Sequence, residues 1–508
     1  MGVPFSQIPN NLRVPLFYVE IDNSAAATGS DNPKTLLLGT MLSAGSATAE
    51  TEVQVTSAAA ARGLFGEGSQ LHRMAAAYFA NDPFGEVWAI PSANPTGGAA
   101  SDGNLTCTVT GPATSAGTVS LYVGGKLIQG AVASGDSAAT IRTALVNAAA
   151  EVDGLSCALV AAAGNTFEVN ALNAGTLGND IDVRANYAGL AGGEKYPDGV
   201  TVTAGGNDLD GTPAHLATGA SDPSLTNVIT AMGDTPYDYI VMPWSVTTQA
   251  DLLQTEMADR WGPLKQVYGH VFSAKRGTQG ALTTYGNGRN DPHMTTFGFD
   301  HFLNPTEEVA AAAAGAIAKS AKIDPARPFQ TLPLEGILPP KASDAFTVTE
   351  QNILLFDGIA TTFISGGKVR ITRAITTFQK DAFDNPDSSF LDYNTLATLQ
   401  YILRFLKSRI ESKYPRHKLV NDGTNFGAGQ AVVSPSTIKA ELVAGYLQLE
   451  KLALVENVDA FITNLVVERN GSDPNRVDVL YPPDLANQLR VVGTLVQFRL
   501  QYPDAATA

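Results

Sequence analysis

Charge is what this sequence has least of. Charged residues make up 16% of its 508, against about a quarter in soluble proteins, and Ala, Gly and Thr fill the difference. A sparsely charged surface repels itself weakly and suits a protein that packs against its own copies. Basic charge is the scarcer sign. The 33 Lys and Arg face 49 Asp and Glu, a net charge of −16, which argues against the broad basic footprint of a nucleic-acid binder. The two cysteines, Cys107 and Cys157, form no CxxC pair and no disulfide framework. No apolar run reaches the roughly 18 residues of a membrane span. The opening MGVPFSQIPNNLRVP has no basic stretch leading into an apolar core. No secretory leader is therefore expected, and the chain reads as one made in a cytoplasm.

Catalytic signatures are missing too. There is no G-x-S-x-G elbow. The glycines at Gly286 and Gly288, and the Gly366-Gly367-Lys368 triplet, lack the GK[ST] ending of a phosphate-binding loop. His293 and His301 lie near Asp291, Asp300, Glu307 and Glu308, but at spacings that match no metal-ligand pattern. They are expected to be packed or solvated. No catalytic residue, cofactor or metal is expected.

What is present is length and pattern. A chain of 508 residues with 44% hydrophobic content can build several cores, at about 100–200 residues per domain. Residues 1–33 read as an arm: Pro4, Pro9 and Pro15 break regular structure, and a strand at 16–22 puts Phe17, Val19 and Ile21 on one face. Residues 34–96 and 211–345 alternate strands with helices. The Ala-rich helix near 306–322 carries Glu307 and Glu308 early and Lys319 and Lys322 late, matching the helix dipole. Residues 97–210 are rich in Gly, Ala, Thr, Asn and Asp, and read as a mainly-β domain inserted at an exposed loop and projecting outward. Residues 346–488 form a C-terminal domain, and 489–508 a second arm read as a strand, with Val496, Phe498 and Leu500 on one face. The expected fold class is α/β and α+β multidomain: an α/β middle domain, a mainly-β inserted outer domain, and an inner α+β C-terminal domain completed by the terminal arms.

The C-terminal domain opens on a predicted hairpin. Residues 361–365 and 368–378 are joined by Gly366-Gly367, which can supply the positive φ angles of a tight turn. Val369, Ile371 and Ile375 form its dry face, and a hairpin alone must pack on something larger. Beyond it, a helix is expected with Leu396, Leu399, Leu403, Leu406 and Ile410 in one stripe. Its second half begins a basic stretch, 404–418, in which Arg404, Lys407, Arg409, Lys413, Arg416 and Lys418 meet only Glu411. That stretch is either a solvated flank or a docking strip for an acidic partner.

Several segments carry a family resemblance. Residues 332–378 (LPLEGILPPKASDAFTVTEQNILLFDGIATTFISGGKVRITRAITTF) resemble the tail sheath proteins of contractile-tailed phages, most closely those of Mu-like phages. FSQIPNNLRVPLFYVEIDNS at 5–24, SSFLDYNTLATLQYILRFLKSRI at 388–410 and LRVVGTLVQFRLQYP at 489–503 support it, and the inserted region adds little. The resemblance implies subunits stacked as six-fold rings or a helical array around a tail tube. It implies arms adding strands to neighbours' sheets, and contraction that drives the tube through the host envelope. Phe17, Val19, Ile21, Val496, Phe498 and Leu500 would belong to the exchanged arms. The hairpin of Val369, Ile371 and Ile375 would be their docking platform, and Arg404, Lys407, Arg409 and Lys413 a strip facing the tube. The implied partners are further copies, the tail tube protein, and baseplate and tail terminator proteins, with no nucleic acid and no direct membrane insertion. The implied location is the virion tail, assembled in the host cytoplasm. A likeness of the middle domain to subtilisin-like folds carries over no catalytic residues. The alternatives are the sheath of a phage-derived bacteriocin or injection system and, from another class, a hydrolase or surface adhesin.

Overall fold

The computed structural model describes residues 33–95 and 101–500. The strand expected at 16–22, with Phe17, Val19 and Ile21, lies outside them. At the centre is a six-stranded sheet. Its strands are β1 (Lys34–Thr40), β2 (Val53–Val55), β3 (Glu86–Ser92), β4 (Tyr239–Val241), β5 (His270–Arg276) and β6 (Met294–Phe299). Their spatial order is β6-β5-β4-β1-β3-β2, parallel except for β2. The parallel strands are buried on both faces and so read as continuous apolar runs, as TLLLG in β1 does.

Two helices cover one face. Helix α1 (Gln70–Asn81) starts at Ser69, whose hydroxyl accepts from His72 N–H at 3.2 Å. Helix α2 (Thr306–Ile323) is buried along most of its length, and its small side chains let α1 come close. A Cβ at Gly315 would sit 2.8 Å from the Tyr78 carbonyl oxygen. Glu307 and Glu308 do more than complement the dipole: both pair with the buried Arg73 of α1, at 2.7 and 3.0 Å.

The inserted region builds one core between a five-stranded and a four-stranded antiparallel sheet, with the helix Ala138–Ala150 packed against it. Its boundary lies further along the chain than expected at 210. His215 pairs with Asp182, and Ala217 and Ala220 bridge to Asn104 and Ser101. Asp222 accepts from Thr176 N–H and Oγ–H at 2.8 and 2.6 Å, and the next helix starts at Thr226.

The predicted hairpin exists as β7 (Thr361–Ser365) and β8 (Lys368–Arg373), with Gly366 and Gly367 at φ +60° and +71°. Its second arm ends five residues early, at Arg373. Ile375 is therefore off the strand: it bridges to Asp392, and Thr377 N–H bonds Met294 O at 2.9 Å. The hairpin packs in the central core, and α3 (Val348–Phe356) lies beside it, with Leu355 against that core and Leu354 in a small cluster with Leu282 and Ile359. A separate C-terminal lobe forms further on. Its core joins the second half of α4 (Tyr393–Lys413) to α5 (Pro435–Lys451), with Ile402, Leu442, Tyr446 and Leu449 at its centre. The first half of α4, through Tyr393, Leu396 and Ala397, belongs to the central core. At 21 residues and about 1.5 Å per residue, α4 is a rod of roughly 30 Å that ties the two cores together.

Candidate functional site

In a doubly wound sheet, ligands bind where the strand order reverses, outside the carboxyl ends of the strands. Here that crevice lies above β1, between β3 and β4, and the inserted domain fills it. Asn173 Oδ1 accepts from Gln70 N–H at 2.9 Å, taking the N-terminus of α1 that an anion would use. Ala174 N–H bonds Asn94 Oδ1 at 2.9 Å, and Arg184 Nη2 bonds His301 O at 3.2 Å. A gap of about 10 Å³ remains between Gln70, Arg73, Asn173 and Trp244, roughly the space of one water. Beneath it lie Arg73, Glu307 and Glu308. Burial pushes the Glu308 carboxyl up, against the pull of Arg73. This pole of the sheet is a packed seam.

The opposite pole, at the amino ends of the strands, holds the C-terminal lobe. Asp238, just before β4, accepts from Lys34 N–H at 2.9 Å, from Gln400 Nε2 at 2.6 Å and from Arg404 Nη1. Arg404 Nη2 also reaches Tyr268 O at 3.3 Å. Burial raises the Asp238 carboxyl, and Arg404 opposes that shift. Gln400 and Arg404 stand four residues apart on one face of α4. No apolar stripe predicts that face, and the sequence reading missed Asp238 because its partners are 162 and 166 residues away.

Three charges of the basic strip are taken by the chain's own acids. Arg404 holds Asp238, while Arg409 and Lys413 both pair with Glu441 of α5, Lys413 at 2.8 Å. Of the four residues expected to face a tube, Lys407 alone is exposed with no carboxylate within ion-pair distance among the described residues. A strip read from one segment cannot reveal acids that another segment brings to it.

The hairpin is not an open platform. Val369 and Ile371 are fully buried, as is Ile375 beside it. The outer edge of β8 is occupied by the chain's own Pro-rich connector: Thr331 N–H bonds Ile371 O at 2.8 Å, Ile371 N–H bonds Leu332 O at 3.0 Å, and Leu334 N–H bonds Val369 O at 2.9 Å. At the other edge, Ala360 bridges to β6. Open edges occur elsewhere. The pair β9 (Val466–Arg469) and β10 (Val477–Leu480) forms a two-stranded sheet that, among the described residues, no further strand joins. It exposes Val466, Val479 and Leu480.

Among the described residues the C-terminal arm is the other element that joins no sheet. Arg490 roots it, with bonds to Asp392 Oδ1 at 3.1 Å, Asn394 Oδ1 at 2.8 Å and Gln330 Oε1 at 3.3 Å. Beyond Arg490, residues 491–500 form no strand, and Val491, Val492, Leu495, Val496, Phe498 and Leu500 are all at least 73% exposed. So many large apolar side chains on one bare segment mark a surface meant to be covered.

The comparisons agree with this anatomy. Residues 218–377 match the phage tail sheath protein central domain, and residues 385–499 the phage tail sheath C-terminal domain. The Mu-like prophage FluMu tail sheath protein of Haemophilus influenzae is 40% identical over 504 residues, covering 98% of this chain and all of the relative. The chain belongs to the phage tail sheath protein family. It is a structural subunit of a contractile tail sheath, not an enzyme, and a component of the virion; sheath proteins self-assemble into helical arrays. Among solved structures, the sheath tail protein of Desulfitobacterium hafniense aligns over 94% of this chain and 97% of its own, with a TM-score of 0.48 and 11% identity. That of Listeria innocua aligns over 91% and 94%, with a TM-score of 0.48 and 12% identity.

Proposed function

We propose that neighbouring subunits are linked by exchange of their arms, and that the receiving sheet is the β9–β10 pair. The observation that carries this reading is the C-terminal arm, whose large apolar side chains are exposed and which joins no sheet among the described residues. A strand with nothing to pair with in its own subunit gains backbone hydrogen bonds by joining a sheet edge. Each such bond contributes about 0.5–1.5 kcal/mol net, and burying a large apolar side chain about 1.5–3 kcal/mol. A few of each support a link of several kcal/mol that can survive subunit rotation. The N-terminal arm with Phe17, Val19 and Ile21 is assigned the same role.

The tail tube protein is the partner of the C-terminal lobe, and baseplate and tail terminator proteins cap the array. Assembly takes place in the host cytoplasm. The inserted domain then faces away from the tube. Its contacts lie at the carboxyl ends of the strands and those of the lobe at the amino ends, separated by about 3.3 Å per strand residue.

Truncation after Arg490 tests the link. The expected product is a folded monomer with an unchanged melting temperature that forms no tubes under negative-stain microscopy. Ordinary tubes from the truncated chain would sink arm exchange at this end.

A further inference from the structure

Apart from the arm and the β9–β10 pair, an apolar face is exposed on α3. Gln351 and Leu354 point inward, while Val348, Thr349, Asn352, Ile353 and Phe356 face solvent. Val348 and Phe356 are 83% and 78% exposed. The helix ends at Asp357, whose carbonyl accepts from Gln379 Nε2 at 3.3 Å, and Asn290 bonds both the N–H and the C=O of Lys380. These bonds fix the loop 380–387 beside the end of α3. Its tip presents Phe383, 85% exposed, and its carboxylates Asp381, Asp384 and Asp387 outnumber Lys380, a net charge of −2. The result is an apolar and aromatic face with an acidic rim.

The complementary surface is on the same chain. Past α4, residues 415–418 and 421–431 are exposed throughout. Arg416 and Lys418, with Lys407 on α4, pair with no carboxylate among the described residues, and against Asp422 of the loop they leave a local charge of +2. The large apolar side chain of this loop that is most exposed is Phe426, at 57%. Lys418 Nζ is held by Gln430 Oε1 at 3.1 Å, which keeps the basic rim beside the loop that carries Phe426.

We propose that the α3 face of one subunit, with its 380–387 loop, receives the 415–431 segment of a neighbouring copy. Opposite charges steer the approach and set the register, while the aromatics supply the buried contact. Two different patches meeting in this way make a heterologous contact, which propagates into rings or helices rather than closing a dimer. That is the symmetry a self-assembling sheath requires. The contact rests on the sheath assignment but uses neither arm, so the truncation after Arg490 and the variants below fail independently.

The native cysteines are buried, which leaves engineered ones free to report. Sheath assembled from a Phe383→Cys/Phe426→Cys chain and then oxidised is expected to give a ladder of covalent multimers, at least ten-fold above either single variant. Assembled tubes that stay monomeric on a non-reducing gel would overturn the contact. Charge exchange gives a second reading. Arg416→Glu with Lys418→Glu is expected to slow assembly without tube protein at least ten-fold. Asp387→Lys with Asp384→Asn, added to that chain, is expected to restore it; Asn tolerates the left-handed backbone at Asp384, φ +63°. Loss without restoration, or loss seen only when tube protein is present, would assign the basic patch to another surface and overturn the pairing.

Discussion

The inserted domain and the C-terminal part of the chain are opposites in surface chemistry. Residues 97–210 hold eleven acidic and four basic residues, a net charge of −7, whereas residues 346–500 hold sixteen of each. The insert exposes three large hydrophobics, Leu127, Val160 and Leu190, while nineteen are exposed from Val348 to Leu500. The insert closes its own core and presents repelling charge, as a domain facing solvent does. The C-terminal part leaves apolar surface bare and has no net charge to keep copies apart. Interaction surface is therefore concentrated in one region of the chain, and the other seals the sheet.

The strongest way to break that comparison is to remove the insert. Ser101 N–H bonds Ala220 O at 3.3 Å, so the two ends can be joined by a short linker. Excision is expected to abolish soluble folded protein, because it uncovers the Arg73–Glu307–Glu308 cluster and strips the end of α1. A buried charge cluster opened to solvent loses the packing that holds its geometry. A soluble core with a cooperative thermal transition would instead make the insert a decoration.

Asp238→Ala comes next in size. It leaves Arg404 and Gln400 without their acceptor; with Asp238 buried and Arg404 about a third exposed, the loss is expected at the low end of the cost of breaking a buried pair, about 3 kcal/mol, read from urea denaturation. Arg404→Glu should also destabilise the monomer, since it faces Asp238 with a like charge. If that variant keeps wild-type stability yet fails to assemble on tubes, Arg404 belongs to the tube surface after all.

The smallest effect is at the seam where the C-terminal part meets the sheet. Asp291 N–H bonds Thr377 Oγ1 at 3.1 Å, and burial pushes its carboxyl up to about 6 from 3.8. A raised acid holds its proton more tightly in the folded state, so its contribution to stability falls as pH rises from about 4 to 6 and stays unfavourable above that range. Asp291→Asn can keep the bond from His293 N–H and removes the ionised form. It is expected to stabilise by up to about 3 kcal/mol at neutral pH. The gain should shrink through pH 6 to 4 and vanish below, as followed by thermal melts. A gain independent of pH would contradict burial as the cause.

Local signals were legible. Gly366-Gly367 announced the β7–β8 turn, Ser57 caps the helix Ala58–Phe65 as a serine before an Ala-rich run should, and the long α4 stripe was plain. What failed were inferences about free surface. The hairpin looked like an open edge because a run of alternating residues says nothing about which distant segment lies beside it. The Pro-rich connector fills that edge. The segment from 489 read as a strand arm, yet residues 491–500 form no strand in the single chain, since a strand exists only when paired.

By itself the sequence determined the elements, the family, and the excess of apolar residues near the C-terminus. These follow from spacing along one chain, where neighbours interact whatever the rest does. The tertiary structure alone decided which charges are spent inside and which edges stay open. Arg404 ends on Asp238, and Arg409 and Lys413 end on Glu441. Among the described residues the β9–β10 pair remains unjoined while β8 does not. Ion pairs and sheet edges are satisfied by whatever folding brings within a few ångströms, and that is a property of the packed chain rather than of any segment in it.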